Sequence, residues 1–243
     1  MKKQMHLASQ YLAAAAISFV PKKDDGSHTN LGWSIEKKQL ETHPLSLSGD
    51  ILALNYNTFS LEWNSSKNDA SFTLDGKTHQ QVLDWLVKTS KTFLDKVYTY
   101  EFHYDLPYTI NASYAFKLNA SELKELASLR TLAQSSLVAT LKEKGLESDV
   151  RIWPHHFDSG AYASLNVDIA VGFGLAIPDA LVNEHYFYIS GYKGHNGLDT
   201  SNFDALSLGE WKNDGFKGAV LPATKINKDQ AVQFFTEAIN TYK

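Results

Sequence analysis

Residues 51–74, ILALNYNTFSLEWNSSKNDASFTL, hold three short apolar runs, and how they are joined decides the fold. Ile51-Leu52-Ala53-Leu54, Phe59-Ser60-Leu61-Glu62-Trp63 and Ala70-Ser71-Phe72-Thr73-Leu74 are each of strand length. The turn-formers Asn55, Asn57 and Ser65 to Asn68 separate them. Links this short cannot hold a crossover helix, so the strands pair antiparallel. Working outward, Leu31, Trp33 and Ile35 alternate with Gly32, Ser34 and Glu36, the pattern of a further strand with one buried face. Upstream, Leu7, Tyr11, Ala14 or Ala15 and Ser18 fall at helical spacing. They predict a helix over Gln4–Phe19 that Pro21 and Asp24-Asp25-Gly26 end in a turn. Downstream, Val82, Leu83, Leu86, Val87 and Phe93 predict a helix from Thr78, its N-cap, to about Val97.

Tyr98 to Tyr114 is aromatic-rich, contains Pro107 and reads as a connector. Beyond it, Asn119 or Ser121 caps a long helix whose Leu123, Leu126, Arg130, Ala133, Leu137 and Leu141 trace one stripe. Lys142 and Lys144 suit its C-terminal dipole, and Gly145 stops it. Strands are expected over Val150–Trp153, Ala161–Phe173, Tyr186–Ser190 and Gly218–Leu221, with a closing helix over Asp229–Thr241. The class is α+β, antiparallel sheets with packed helices, and the order helix, strands, helix occurs twice. Two halves, 1–114 and 115–243, follow as an expectation, within one compact domain or as two. Duplication of a helix–sheet–helix unit and chance recurrence of a common order are both open readings.

With 43% hydrophobic and 21% charged residues the chain is expected to fold throughout. A formal net charge of −4 supplies no basic stripe for phosphates, so nucleic acid is not an expected partner. Zero cysteines exclude thiol nucleophiles, disulfides and Cys-ligated zinc, so a metal would need His, Asp or Glu. Met1-Lys2-Lys3 followed by Tyr11 to Ile17 has the outline of a signal peptide, but His6, Ser9 and Gln10 interrupt it and a packed helix fits better. No run nears the ~20 apolar residues of a membrane span, and a cytoplasmic location is expected. Asn64-Ser65-Ser66, Asn111-Ala112-Ser113 and Asn119-Ala120-Ser121 fit the glycosylation pattern, which matters only in a secreted chain.

The densest chemistry is Trp153-Pro154-His155-His156-Phe157-Asp158. Read as extended, alternation puts Trp153, His155 and Phe157 on one face and His156 with Asp158 on the other. His156 and Asp158 would then share a polar site, as a carboxylate-oriented base or as a metal ligand with its supporting carboxylate. Glu184, Tyr186 and Tyr188 would line the face of a strand whose other face carries His185, Phe187 and Ile189, forming an aromatic, carboxylate-bearing wall. Glu101, His103 and Asp105 alternate along the connector, and a solvated face is the expectation there. Asn213-Asp214-Gly215 after Trp211 reads as a hairpin turn. Gly172-Phe173-Gly174 lacks the third glycine of a dinucleotide loop, and no phosphate loop, nucleophile elbow or His-Glu-x-x-His helix is present.

Trp153 to Asp158, Val171-Gly172-Phe173-Gly174, Glu184 to Ile189, Glu210-Trp211 and Gly215 to Pro222 together resemble a family of bacterial proteins of unknown function built around a WPHHFD-type motif. Met5 to Gln10 and His28 resemble that family's start. The chain departs from it at Ala176-Ile177-Pro178-Asp179 and at Gly191-Tyr192-Lys193, so a site shaped by those loops in relatives would be altered here. The resemblance implies no activity and names no cofactor. Three functions stay open. One is binding of a small molecule by Trp153, His155, His156, Asp158, Glu184, Tyr186, Tyr188 and Trp211, in a pocket expected between the halves. A second is a metal-dependent hydrolase using His156 and Asp158 with His28, His103 or Glu184. The third is an interaction module or homodimer.

Overall fold

The three runs of residues 51–74 form adjacent strands in the computed structural model, which describes residues 1–65 and 69–243. Of the turn expected between the last two runs, Ser66 to Asn68 lie outside the described residues, as does part of the Asn64 glycosylation pattern. The chain divides into two compact units, Met1–Thr131 with Ile152–His155, and Leu132–Arg151 with His156–Lys243. In the first, β1 (Gly32–Ser34), β2 (Gln39–Glu41), β3 (Ile51–Asn55), β4 (Ser60–Asn64) and β5 (Ala70–Thr73) lie side by side in chain order, all antiparallel. Leu54 stands opposite Leu61 and Leu52 opposite Trp63. All four are fully buried, so apolar cross-strand pairs fix the register.

The first helix, α1 (Lys2–Phe19), is buried on every side from Met5 to Ala16, including the polar His6, Ser9 and Gln10. The aromatic connector covers it. Tyr98 donates its phenol proton to the Tyr11 carbonyl (3.2 Å) and Tyr104 donates to Gln10 Oε1 (2.9 Å). The intervening Glu101, His103 and Asp105 are exposed, as their alternation implies. The helix α2 (His79–Leu94) begins at Thr78 with a reciprocal cap, in which the Thr78 hydroxyl accepts from Gln81 N while the Gln81 side chain accepts from Thr78 N.

The long helix α3 (Ala120–Lys144) runs from the first unit into the second, so the division falls inside it rather than at residue 114. It stops at Gly145, whose φ of +63° is the left-handed conformation that ends helices. After it come β6 (Arg151–Ile152), β7 (Ser159–Ser164), β8 (Ile169–Ala176), β9 (Tyr186–Lys193), β10 (Asn196–Gly197), β11 (Glu210–Lys212), β12 (Gly218–Pro222) and α4 (Lys228–Tyr242). The sheet order is β11-β12-β9-β8-β7-β6, with β10 folded back on β9. One strand was expected over 161–173. Instead β7 and β8 form a hairpin, because the Asn166 side chain accepts hydrogen bonds from the amides of Asp168 and Ile169 and turns the chain.

The pleat of this sheet gives it two unlike faces. Val171, Phe173, Leu175, Phe187, Ile189, Ala219 and Leu221 point one way and are buried. Phe173 and Phe187 on that side meet Phe235 of α4, ring centroids 5.2 and 5.6 Å apart. The opposite face carries Gly160, Tyr162, Gly172, Gly174, Tyr186, Tyr188 and Tyr192. Helix order recurs, α1 and α2 around the first sheet in sequence and α3 and α4 around the second, while the strand orders differ. Among the described residues no helix is long and apolar enough to cross a membrane.

Candidate functional site

The segment Trp153 to Asp158 is not extended. Pro154, His155 and His156 form a turn, and Phe157 takes a left-handed φ of +62°. Proline pre-sets the backbone for a turn, and a positive φ at a bulky residue costs of order 1–3 kcal/mol unless its surroundings impose it. Phe157 is 2% exposed, and burial of its ring holds that conformation. Strand alternation therefore does not govern the motif, which corrects the extended reading from which the pairing of His156 with Asp158 was inferred; Asp158 takes a hydrogen bond from Tyr188, and His156 is exposed.

The first half of the motif belongs to the first unit. Ile152 and Leu31 exchange backbone hydrogen bonds of 2.8 and 2.9 Å, which holds the chain entering the motif. The Pro154 carbonyl then accepts from His6 Nε2 (2.7 Å) and Gln10 Nε2 (2.8 Å), both on α1. Burial pushes the His6 imidazole down to about 4, against the pull of the Pro154 carbonyl, with the Arg130 charge adding to the lowering. His6 is therefore neutral at pH 7 and donates through Nε2. His155 lies between aromatic rings, 5.9 Å from Trp153 and 5.4 Å from Tyr104. Nothing about His6 and Gln10 as partners of Pro154 was legible beforehand, although their polarity within an otherwise apolar helix was the available signal.

The second half belongs to the second unit and meets the tyrosine face of its sheet. Tyr188 donates its phenol proton to Asp158 Oδ2 at 2.5 Å, and Tyr186, two residues along the same face, donates to Asp179 Oδ2 at 2.7 Å. Burial, then the Asp158 charge, pushes the Tyr188 phenol well above its usual range, and burial with Asp179 does the same to Tyr186. Both phenols stay protonated donors. Beneath them the strands are glycine: a Cβ on Gly160 would sit 3.1 Å from the Tyr188 hydroxyl, and one on Gly174 would sit 2.9 Å from it and 2.1 Å from the Ser159 carbonyl oxygen. Gly160 and Gly174 are register partners, so the two glycines open one recess for the hydroxyl.

One atom in this arrangement is unsatisfied. Asp158 Oδ1 is buried and has no hydrogen-bond partner among the described residues. An unmade hydrogen bond at a buried acceptor costs about 1–3 kcal/mol, and more for a charged group. Native proteins leave few such atoms, and each calls for an explanation such as a functional role, a water or a bound ion.

The other sequence candidates go elsewhere. Glu184 accepts from the amide and hydroxyl of Thr224 just after β12, a fixed structural role. Trp211 donates its indole proton to the Asp204 carbonyl (2.9 Å) and packs edge-on against Phe203 and Tyr242. The hairpin after it turns at Gly215, φ +71°. His28 and His103 do come together in the first unit, rings stacked at 5.7 Å and 20°, and His28 is lowered by burial and then by His103. Among the described residues no three His, Asp or Glu side chains converge, so the proposed ligands His156, Asp158, His28 and His103 do not assemble into a set of three. A groove of about 680 Å³ lined by Glu143, Asp229, Gln233, Thr236, Glu237 and Asn240 includes none of the candidates. Its Glu237 carboxylate is already engaged by the Ser207 amide and hydroxyl. Set beside protein-family models, curated proteins and solved structures, the chain matches none of them.

Proposed function

We propose that this protein binds a small molecule on the tyrosine face of the seven-stranded sheet, and that Asp158 is the residue that recognises it. The observation carrying this reading is the buried, unpartnered Asp158 Oδ1, held beside Tyr188 over a glycine recess. A carboxylate is an acceptor only, so the group it awaits is a hydrogen-bond donor. Tyr188 fixes the carboxylate through the other oxygen, which is how a binding group is pre-oriented before its ligand arrives. The left-handed Phe157 immediately before Asp158 supports the same reading, since such conformations cluster where a side chain must be aimed.

Asp158→Asn tests it. The amide oxygen would accept from Tyr188, leaving an NH2 donor where Oδ1 now offers an acceptor. The test is a melting-temperature screen of wild type and Asp158→Asn against small amines, polyols and amides. A ligand at a hundred times its dissociation constant stabilises its protein by about 2.7 kcal/mol. We expect stabilising compounds whose effect disappears in the variant. A screen in which every stabilising compound acts equally on both proteins would end the reading.

A further inference from the structure

We infer that the ligand taken by Asp158 is a cation, an alkylammonium or guanidinium group. This rests on the binding reading above and deepens it by naming the chemical class. The face of the sheet around Asp158 is read from the register. β7 contributes Gly160, Tyr162 and Ser164, and β8 contributes Ala170, Gly172, Gly174 and Ala176. β9 contributes Tyr186, Tyr188, Ser190 and Tyr192, and β12 contributes Gly218, Val220 and Pro222. None of these is a lysine or arginine. On the adjoining edge strand β11 the register adds Glu210 and Lys212, and Lys212 is already paired with Glu210 at 2.8 Å.

Two carboxylates meet this face: Asp158, held by the neutral Tyr188 phenol, and the exposed Asp179, held by the Tyr186 phenol and the amides of Leu181 and Val182. Neither is in an ion pair among the described residues. Burying a carboxylate oxygen without a counter-charge is unfavourable, and for Asp158 Oδ1 the hydrogen bond that Tyr188 makes to the other oxygen offsets this only in part. No unpaired cationic side chain is placed on this face by the register of the sheet, and the charge that completes the balance is supplied by the ligand. The surroundings suit a cation in a second way. Ring atoms of Tyr192 and Tyr162 lie 3.4 and 3.5 Å from where a Gly172 Cβ would be, so both rings lie over β8. Their centroids are 6.1 Å apart, and Tyr162 is 58% exposed. Aromatic faces beside a carboxylate attract ammonium and guanidinium groups through the ring quadrupole as well as by charge.

The experiment compares charged and neutral isosteres by calorimetric titration of the full chain at pH 7.5: butylammonium against 1-butanol, and methylguanidinium against N-methylurea. We expect at least one cation to bind saturably, at least tenfold more tightly than its neutral isostere. Asp158→Asn, with an unchanged circular dichroism spectrum, should weaken that cation tenfold or more. The isostere comparison needs only wild-type protein, so it stands even if the variant fails to fold. Neutral isosteres binding as tightly as the cations, with the same loss in Asp158→Asn, would overturn the charge assignment and leave the binding site in place. No saturable binding by any of the four probes overturns the cation assignment, whereas the broader melting screen is what decides the site itself.

Discussion

At the scale of single residues, the recess under Tyr188 separates two glycines that the sequence presents alike. A methyl group on Gly174 would overlap the Ser159 carbonyl oxygen, which is backbone and cannot step aside, whereas on Gly160 it would press on the movable Tyr188 hydroxyl. Gly174→Ala should therefore lower stability by about 3 kcal/mol or more through overpacking and a lost strand pairing, and Gly160→Ala by about 1 kcal/mol. Urea unfolding of the two variants checks this, and equal losses would contradict the geometry. The alternation Gly172-Phe173-Gly174 was visible in the sequence, but only the register of β7 on β8 shows what the small residues accommodate. Asp158 makes the same point. It stood out in the sequence as a candidate, while its partner Tyr188 did not, because the turn at Pro154 removes the alternation from which His156 had been inferred.

At the scale of elements, what repeats or caps locally was legible. Thr78 was readable as an N-cap, and Asn227 forms the same reciprocal cap with Gln230 at the start of α4. Thr78→Ala and Asn227→Ala should each cost about 1 kcal/mol, measurable as a lower urea midpoint with an unchanged slope; no shift in either would show that tertiary packing alone sets these helix starts. The strand β2, three residues long, went unread, whereas the equally short β1 was legible because Leu31 and Ile35 on either side extend its alternation. The hairpin of β7 and β8 was missed for a different reason. Its turn is made by one asparagine, without the glycine or proline that usually marks one.

At the scale of the whole molecule, α1 makes stability depend on pH through its buried His6. The folded-state value of His6, about 4, lies below its ordinary 6.5. The unfolded chain therefore takes up the proton first, and the stability held above pH 6.5 is lost as pH falls toward 4. The full difference is about 3 kcal/mol. Burial lowers His28 and His79 as well, and they act in the same direction. Unfolding free energy should thus drop between pH 7 and pH 4.5, and His6→Gln, which keeps a donor for the Pro154 carbonyl, should flatten the drop; an equally steep profile in that variant would place the acid sensitivity elsewhere. The α+β class, the antiparallel pairing of the strands within residues 51–74 and the helices α1 to α4 were determined by the sequence alone, because period, cap and link length act between residues a few positions apart. The site was decided by tertiary structure. His6 meets the Pro154 carbonyl across 148 positions, and Tyr188 meets Asp158 across 30. Such partners are chosen by strand register and by what burial leaves within hydrogen-bonding distance, and neither quantity exists until the chain has folded.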